Sequence, residues 1–91
     1  MKFYILSLTR MKGDTLTWWG PNNSGYTPVL DNAGKYDGED IFKRPEYYDN
    51  KKETAAIPCE WVDEFAIKVV SSDNMTKFLK YIGIAEEVGV R

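Results

Sequence analysis

KFYILSLTRMKGDTLTWW, residues 2–19, is the stretch on which the fold turns. In its first half Phe3, Ile5, Ser7 and Thr9 fall on one face and Tyr4, Leu6 and Leu8 on the other, the two-residue period of a strand. The second face is strongly apolar. Met11-Lys12-Gly13-Asp14 supplies a turn, and residues 15–19 are β-branched and aromatic, so the stretch reads as a β-hairpin. A hairpin with an apolar face cannot stand alone in water, and the remaining chain has to supply both further strands and a cover.

Working outward, residues 20–25 have loop composition, and residues 26–30 read as extended because Pro28 disfavours helix at Thr27. Asp37 is the expected cap of a short helix with Glu39 and Asp40 in its first turn and Ile41 and Phe42 as its apolar side. Pro45 stops or restarts that helix, Tyr47 and Tyr48 cover its end, and residues 49–53 form an exposed loop. Residues 54–57 read as a brief strand. Pro58 then opens a second helix, with Trp61, Val62 and Phe65 inward and Glu60, Asp63 and Glu64 toward solvent. Residues 66–70 are β-rich, and a last helix over 73–83 aligns Met75, Phe78, Leu79 and Ile82. The expected fold is a single α+β domain over residues 1–91, a small, mainly antiparallel sheet covered on one face by two or three short helices. Its expected core holds Ile5 or Phe3, one of Trp18 and Trp19, Trp61, Phe65, Phe78, Leu79 and Ile82.

The composition narrows the chemistry. With 91 residues, 43% of them hydrophobic, the chain has room for one modest core. It contains no histidine, which removes Ser-His-Asp and Cys-His catalysis and the commonest metal ligand. The net charge of −2 hides an acidic middle third: residues 31–64 carry five basic and ten acidic residues. The largest basic clusters, Lys43-Arg44 and Lys51-Lys52, sit among those carboxylates, which argues against nucleic acid as a partner. A single cysteine, Cys59, and an N-terminus without a signal-peptide pattern point to the cytoplasm, and no run is long enough for a membrane helix. Asp31, Asp37, Glu39 and Asp40 miss the calcium-loop spacing and read as helix-start residues. Cys59 reads as a small packed residue. No metal, cofactor or catalytic residue is expected, and the protein is read as a non-enzyme.

The densest signal is Trp18-Trp19-Gly20-Pro21-Asn22-Asn23-Ser24-Gly25-Tyr26-Thr27. Residues 20–27 match the phosphate-binding pattern G-x-x-x-x-G-K-[ST] except that Tyr26 replaces the lysine, and Pro28 stands where a helix should begin. The triphosphatase reading therefore fails at its decisive position. Two readings stay open. Trp18, Trp19, Asn22, Asn23, Ser24 and Tyr26 form a ligand or partner site, with rings for stacking and amides for hydrogen bonds, or the loop is a rigid turn between strands. A second, weaker candidate for partner binding is the acidic surface of Asp37, Glu39 and Asp40.

From Thr17 to Glu39 the sequence resembles a group of short phage and prophage proteins with the pattern T-x-W-G-P-[ND]-x-x-G-Y-T-x-x-L-x-x-A-G-x-Y-x-x-E. Here it is filled by Thr17, Trp19, Gly20, Pro21, Asn22, Gly25, Tyr26, Thr27, Leu30, Ala33, Gly34, Tyr36 and Glu39. The resemblance covers about half the chain and weakens toward the C-terminus. It implies action inside a bacterial cell and assigns no catalytic residue. Three functions follow by analogy of genomic class. The first is an inhibitor, anti-CRISPR-like, of a host bacterial protein; the second is a sequestering protein for a small nucleotide ligand; the third is a structural or morphogenetic phage component. Homo-oligomerisation stays open.

Overall fold

A computed structural model describes residues 1–10 and 16–68 of the chain. The expected helix over 73–83, with Phe78, Leu79 and Ile82, and the turn at residues 11–14 lie outside the described residues. The element order is β1 (Lys2–Ser7), β2 (Trp18–Trp19), β3 (Tyr26–Thr27), β4 (Tyr36–Asp37), α1 (Gly38–Lys43), α2 (Pro45–Tyr48), β5 (Thr54–Pro58) and α3 (Cys59–Lys68). Single 3-10 turns at Pro21–Asn23 and Leu30–Asn32 join the short strands. Over the described residues this is a small α+β fold with an antiparallel sheet of five strands.

β1 is the central strand because it serves three partners. β5 pairs along it from Phe3↔Pro58 to Ser7↔Thr54, which occupies one whole edge. The other edge is shared, by β4 at Lys2 and Phe3 and by β2 at Leu6, and β3 extends the sheet beyond β2. Alternation along β1 assigns the edges: the Leu8 amide donates to the Glu53 carbonyl at 2.8 Å, whereas the Ser7 amide donates to the Thr17 carbonyl at 2.9 Å. The β1–β2 pairing is the hairpin that residues 2–19 predict, reinforced by the Thr17 hydroxyl donating to the Arg10 carbonyl.

The strand period also divides the core in two. Tyr4 and Leu6 pack with Trp18, Ala55, Ile57, Cys59, Val62 and Phe65 on the face covered by α3. Ile5 packs with Tyr36, Ile41 and Tyr48 on the face covered by α1 and α2. The helices therefore lie on both faces of the sheet and not on one, because β1 is apolar on both: Ile5 and Leu6 are each fully buried. Three further expectations are corrected. Trp61 is 45% exposed, since the inward stripe of α3 runs Cys59, Val62, Phe65 and leaves Trp61 on its flank. Phe42 is 85% exposed, because six-residue α1 buries Ile41 and the next side chain turns about 100° away. The strand expected from residue 66 is absent over 66–68, where α3 simply continues to Lys68.

The outer edge of β5 is closed by side chains. Its even-numbered residues point away from β1; Asn50 Oδ1 accepts the Thr54 amide at 3.3 Å, Asp49 Oδ1 accepts the Ala56 amide at 2.9 Å, and Pro58 has no amide to offer. Unpaired edge amides invite pairing with another chain, and here all three are taken out of play. Asn50 Oδ1 also accepts the amides of Lys52 and Glu53 at 2.8 and 2.7 Å, which fixes the turn where Lys51 has φ 69°. Asn50→Ala should therefore lower stability by about 1 kcal/mol, chiefly by stranding the half-buried Thr54 amide, since the Lys52 and Glu53 amides are exposed to water. Urea denaturation reads the loss, and an unchanged midpoint would show that water replaces the carboxamide.

Candidate functional site

The loop that dominates the sequence is the tip of a second β-hairpin. Trp18↔Thr27 and Trp19↔Tyr26 pair β2 with β3, and the Gly20 amide donates to the Gly25 carbonyl at 2.9 Å. The Ser24 amide then donates to the Pro21 carbonyl at 3.1 Å. Asn22 and Asn23 between them both have φ 57°, and Gly25 has φ 75°. Positive φ at both central residues, closed by that bond, makes the mirror-image turn favoured in two-residue hairpins because its twist matches the strands. Asparagine tolerates this left-handed region better than most residues, which accounts for the Asn-Asn pair.

The hairpin is locked from behind by residues 34–36. The Tyr36 hydroxyl donates to the Gly20 carbonyl and accepts the Asn23 amide at 2.9 Å, so one buried oxygen bridges both arms. The Gly34 amide donates to the Trp19 carbonyl at 2.9 Å. A Cβ on Gly34 would lie 2.7 Å from Pro21 Cα and 2.8 Å from the Gly20 oxygen, so the two backbones touch. Gly20, Pro21, Gly25, Gly34 and Tyr36 are thus partners in one self-supporting unit. Tyr36 is held neutral by burial, which raises its pKa, against a smaller lowering by the Asn23 amide. Tyr4 shifts in the same direction, by burial first and then by donating to Asp63 Oδ1 at 3.0 Å.

A tyrosine whose folded pKa lies above its unfolded value contributes stability that is fully present below the unfolded value, about 10, and is lost as pH rises beyond it. Stability should hold up to that value from these two groups and fall above it. Tyr36→Phe should reduce the alkaline fall and cost about 1 to 3 kcal/mol at neutral pH, because the Gly20 carbonyl and Asn23 amide lose their partner. An identical alkaline limb in wild type and variant would show that Tyr36 does not report the transition.

The sequence-predicted residues separate in space. Trp18 is 3% exposed inside the α3-side core, 5.6 Å from the Tyr4 ring, and presents no surface to a ligand. Trp19 faces the opposite side, where its ring centroid lies 6.2 Å from Tyr36, 5.2 Å from Tyr47 and 5.8 Å from Tyr48 in edge-on and tilted arrangements. Asn22, Asn23 and Ser24 are exposed at the tip, and their side chains make no hydrogen bond among the described residues. Tyr26 is 50% exposed with the Arg10 guanidinium 4.1 Å from its ring centroid.

Trp19 and Tyr26 meet other residues in a cleft of about 310 Å³ between the hairpin, the end of β1, α2 and the start of β5. Its lining adds Ser7, Thr9, Arg10, Glu46, Tyr47, Asn50, Glu53 and Thr54. Sequence reasoning about the loop missed this half of the site, although the strand period that puts Ser7 on the Ile5 face was legible. Of the acidic candidates, Asp37 pairs with Lys2 Nζ at 2.7 Å, which lowers the carboxyl pKa and raises that of the amine. Asp37 stands at the helix start without capping it through its side chain, a correction to the expected cap; the Gly38 amide donates to the Met1 carbonyl instead. Glu39 and Asp40 are exposed and form no salt bridge among the described residues.

The remaining chemistry is modest. Asp63 was expected to face only solvent, yet it is the acceptor for Tyr4. Cys59 is buried, and burial pushes its thiol pKa up, which suits a packed residue and not a reactive thiolate. Among the described residues no three His, Cys, Asp or Glu side chains converge as a metal site, and no helix is long and apolar enough to cross a membrane. No protein-family model, curated protein or solved structure matches the chain.

Proposed function

We propose that this is a non-enzymatic accessory protein of a bacterial virus or prophage that acts in the cytoplasm by binding and blocking a host protein, in the manner of an anti-CRISPR or other anti-defence inhibitor. The observation that carries the reading is Phe42, the most exposed large hydrophobic side chain among the described residues, standing beside the unbridged carboxylates Glu39 and Asp40. An apolar side chain held in water by a short rigid helix and flanked by negative charge suits a partner surface that offers an apolar hollow with a basic rim. The resemblance at residues 17–39 supplies the biological setting.

The test uses a strain with an active defence system, in which expression of the protein should raise the plating of a phage that the defence restricts. Phe42→Ser should abolish that rise while leaving thermal stability unchanged, and should weaken the isolated complex by about 2 kcal/mol, the scale of an interface hot spot. Full protection by Phe42→Ser would remove α1 from the contact. Sedimentation of both proteins separates this outcome from self-association through the same side chain. A second reading, sequestration of a small ligand, is favoured by the cleft against Trp19 and Tyr26.

A further inference from the structure

The floor of the cleft holds a polar atom with nothing to bond. Ser7 is 2% exposed, lies on the Ile5 face of β1 and lines the cleft, and its hydroxyl has no hydrogen-bond partner among the described residues. Its register partner Thr54 is equally buried but satisfied: the Thr54 hydroxyl donates to the Tyr47 carbonyl and accepts the Asn50 amide, each at 3.3 Å. A buried hydroxyl left without a partner costs free energy, and in native proteins such groups answer to water or a ligand.

The walls define what that ligand offers. Trp19 presents aromatic surface, Tyr47 already carries the Arg44 guanidinium 4.3 Å from its ring centroid, and Glu46 and Glu53 stand in the same lining without a salt bridge among the described residues. Arg10 is the one cation among the described residues of the lining, and its guanidinium lies over the Tyr26 ring and makes no salt bridge to either carboxylate. The two carboxylates are thus left unbridged, which disfavours phosphate and favours a hydrogen-bond donor carrying positive charge. Arg10 over Tyr26 and Arg44 over Tyr47 show that aromatic rings of this lining accept a guanidinium on their faces.

We infer that this cleft is a binding site for a guanidinium cation, which stacks against Trp19, donates to Glu46 and Glu53, and supplies the missing partner of the Ser7 hydroxyl. A guanidinium satisfies all three demands at once, being planar, always charged and rich in donors. The inference deepens the partner-binding reading, on which it rests for its source: an arginine side chain presented by the bound protein.

Titration of ¹⁵N-labelled protein with N-acetylarginine amide, agmatine and N-acetylcitrulline amide, followed at the Trp19 indole N–H, tests it. Saturable shifts are expected with the two guanidinium compounds, and an affinity lower by at least about ten-fold for the neutral citrulline isostere. Glu46→Gln and Glu53→Gln, both at exposed positions, should each weaken binding several-fold, and Ser7→Ala should do so with the amide spectrum of the folded protein retained. No saturable shift, an equal response to citrulline, or unchanged affinity in the double Glu46→Gln/Glu53→Gln variant overturns the site and leaves Ser7 to water. An arginine-containing peptide binding more tightly than agmatine assigns the cation to a partner; equal affinities assign it to a free small molecule, and both outcomes support the site. Loss of host-protein binding alone, with the titration intact, would remove the partner reading and keep the cleft.

Discussion

Trp18→Ala is expected to destabilise the protein by about 3 to 5 kcal/mol, the range for removing a buried aromatic side chain without collapse of the cavity it leaves. Trp18 is held opposite Leu6 by strand register, packs against the Tyr4 ring and belongs to the same cluster as Ala55, Val62 and Phe65. It therefore joins β1, β5 and α3 through one side chain. Trp61→Ala, at a half-exposed position on the flank of α3, should cost under about 1 kcal/mol by the ordinary behaviour of surface substitutions. Urea unfolding of the two variants under one condition decides the matter. Comparable losses would mean that Trp61 carries packing that its exposure does not reveal.

The contrast between the two tryptophans shows what was legible in the sequence. Period-2 alternation around residues 2–10 and 15–19 is a local property, so it correctly separates Trp18 from Trp19 and requires one of them to be buried. The α+β class and the antiparallel hairpin follow from the same pattern. Strand β4 was not legible, because two residues have no period; Tyr36 and Asp37 are extended through pairing with Phe3 and Lys2, more than thirty positions earlier. Phe42 and Trp61 were misplaced for a related reason. In a helix of six residues, or at the flank of one of ten, hydrophobicity alone does not say which side chains the sheet reaches.

The candidate site was half legible for the same physical reason. The glycines, proline and asparagines at residues 20–25 announce a turn with positive φ, and the structure supplies that turn in its tightest form. Gly20, Pro21, Asn22, Asn23 and Gly25 are engaged in building it, through the bonds that close the turn and through positive φ. The cleft brings together β1, α2, β5 and the hairpin, and of its described lining only Trp19 and Tyr26 belong to residues 18–27. Glu46 and Glu53 read as ordinary solvated charges in a polar run, because nothing local relates them to Ser7 across the sheet.

Gly34→Ala offers the sharpest test of how the hairpin is held. The substitution adds one methyl group, improves no contact and removes no hydrogen bond, and the backbone at Gly34 does not occupy the left-handed region that only glycine favours. Apart from the smaller stabilisation that comes from restricting the unfolded chain, the effect must come from space. The new Cβ would meet Pro21 Cα at 2.7 Å, the Gly20 oxygen at 2.8 Å and the Pro21 nitrogen at 2.9 Å, three backbone atoms that cannot rotate aside. Either residues 20–21 withdraw, breaking the bridge from Tyr36 to the Gly20 carbonyl and the bond from Gly34 to Trp19, or the 34–36 segment leaves the edge of β1. A cost of about 3 kcal/mol is expected, the upper end for overpacking, since each route also sacrifices hydrogen bonds. Hydrogen exchange should locate the damage, with the Asn23 and Gly34 amides losing protection while Leu6 and Leu8, bonded to β5, keep theirs. Uniform loss of protection through β1 would show instead that hairpin and sheet unfold as one unit; unchanged stability would show that the backbone contact at Gly34 relaxes freely.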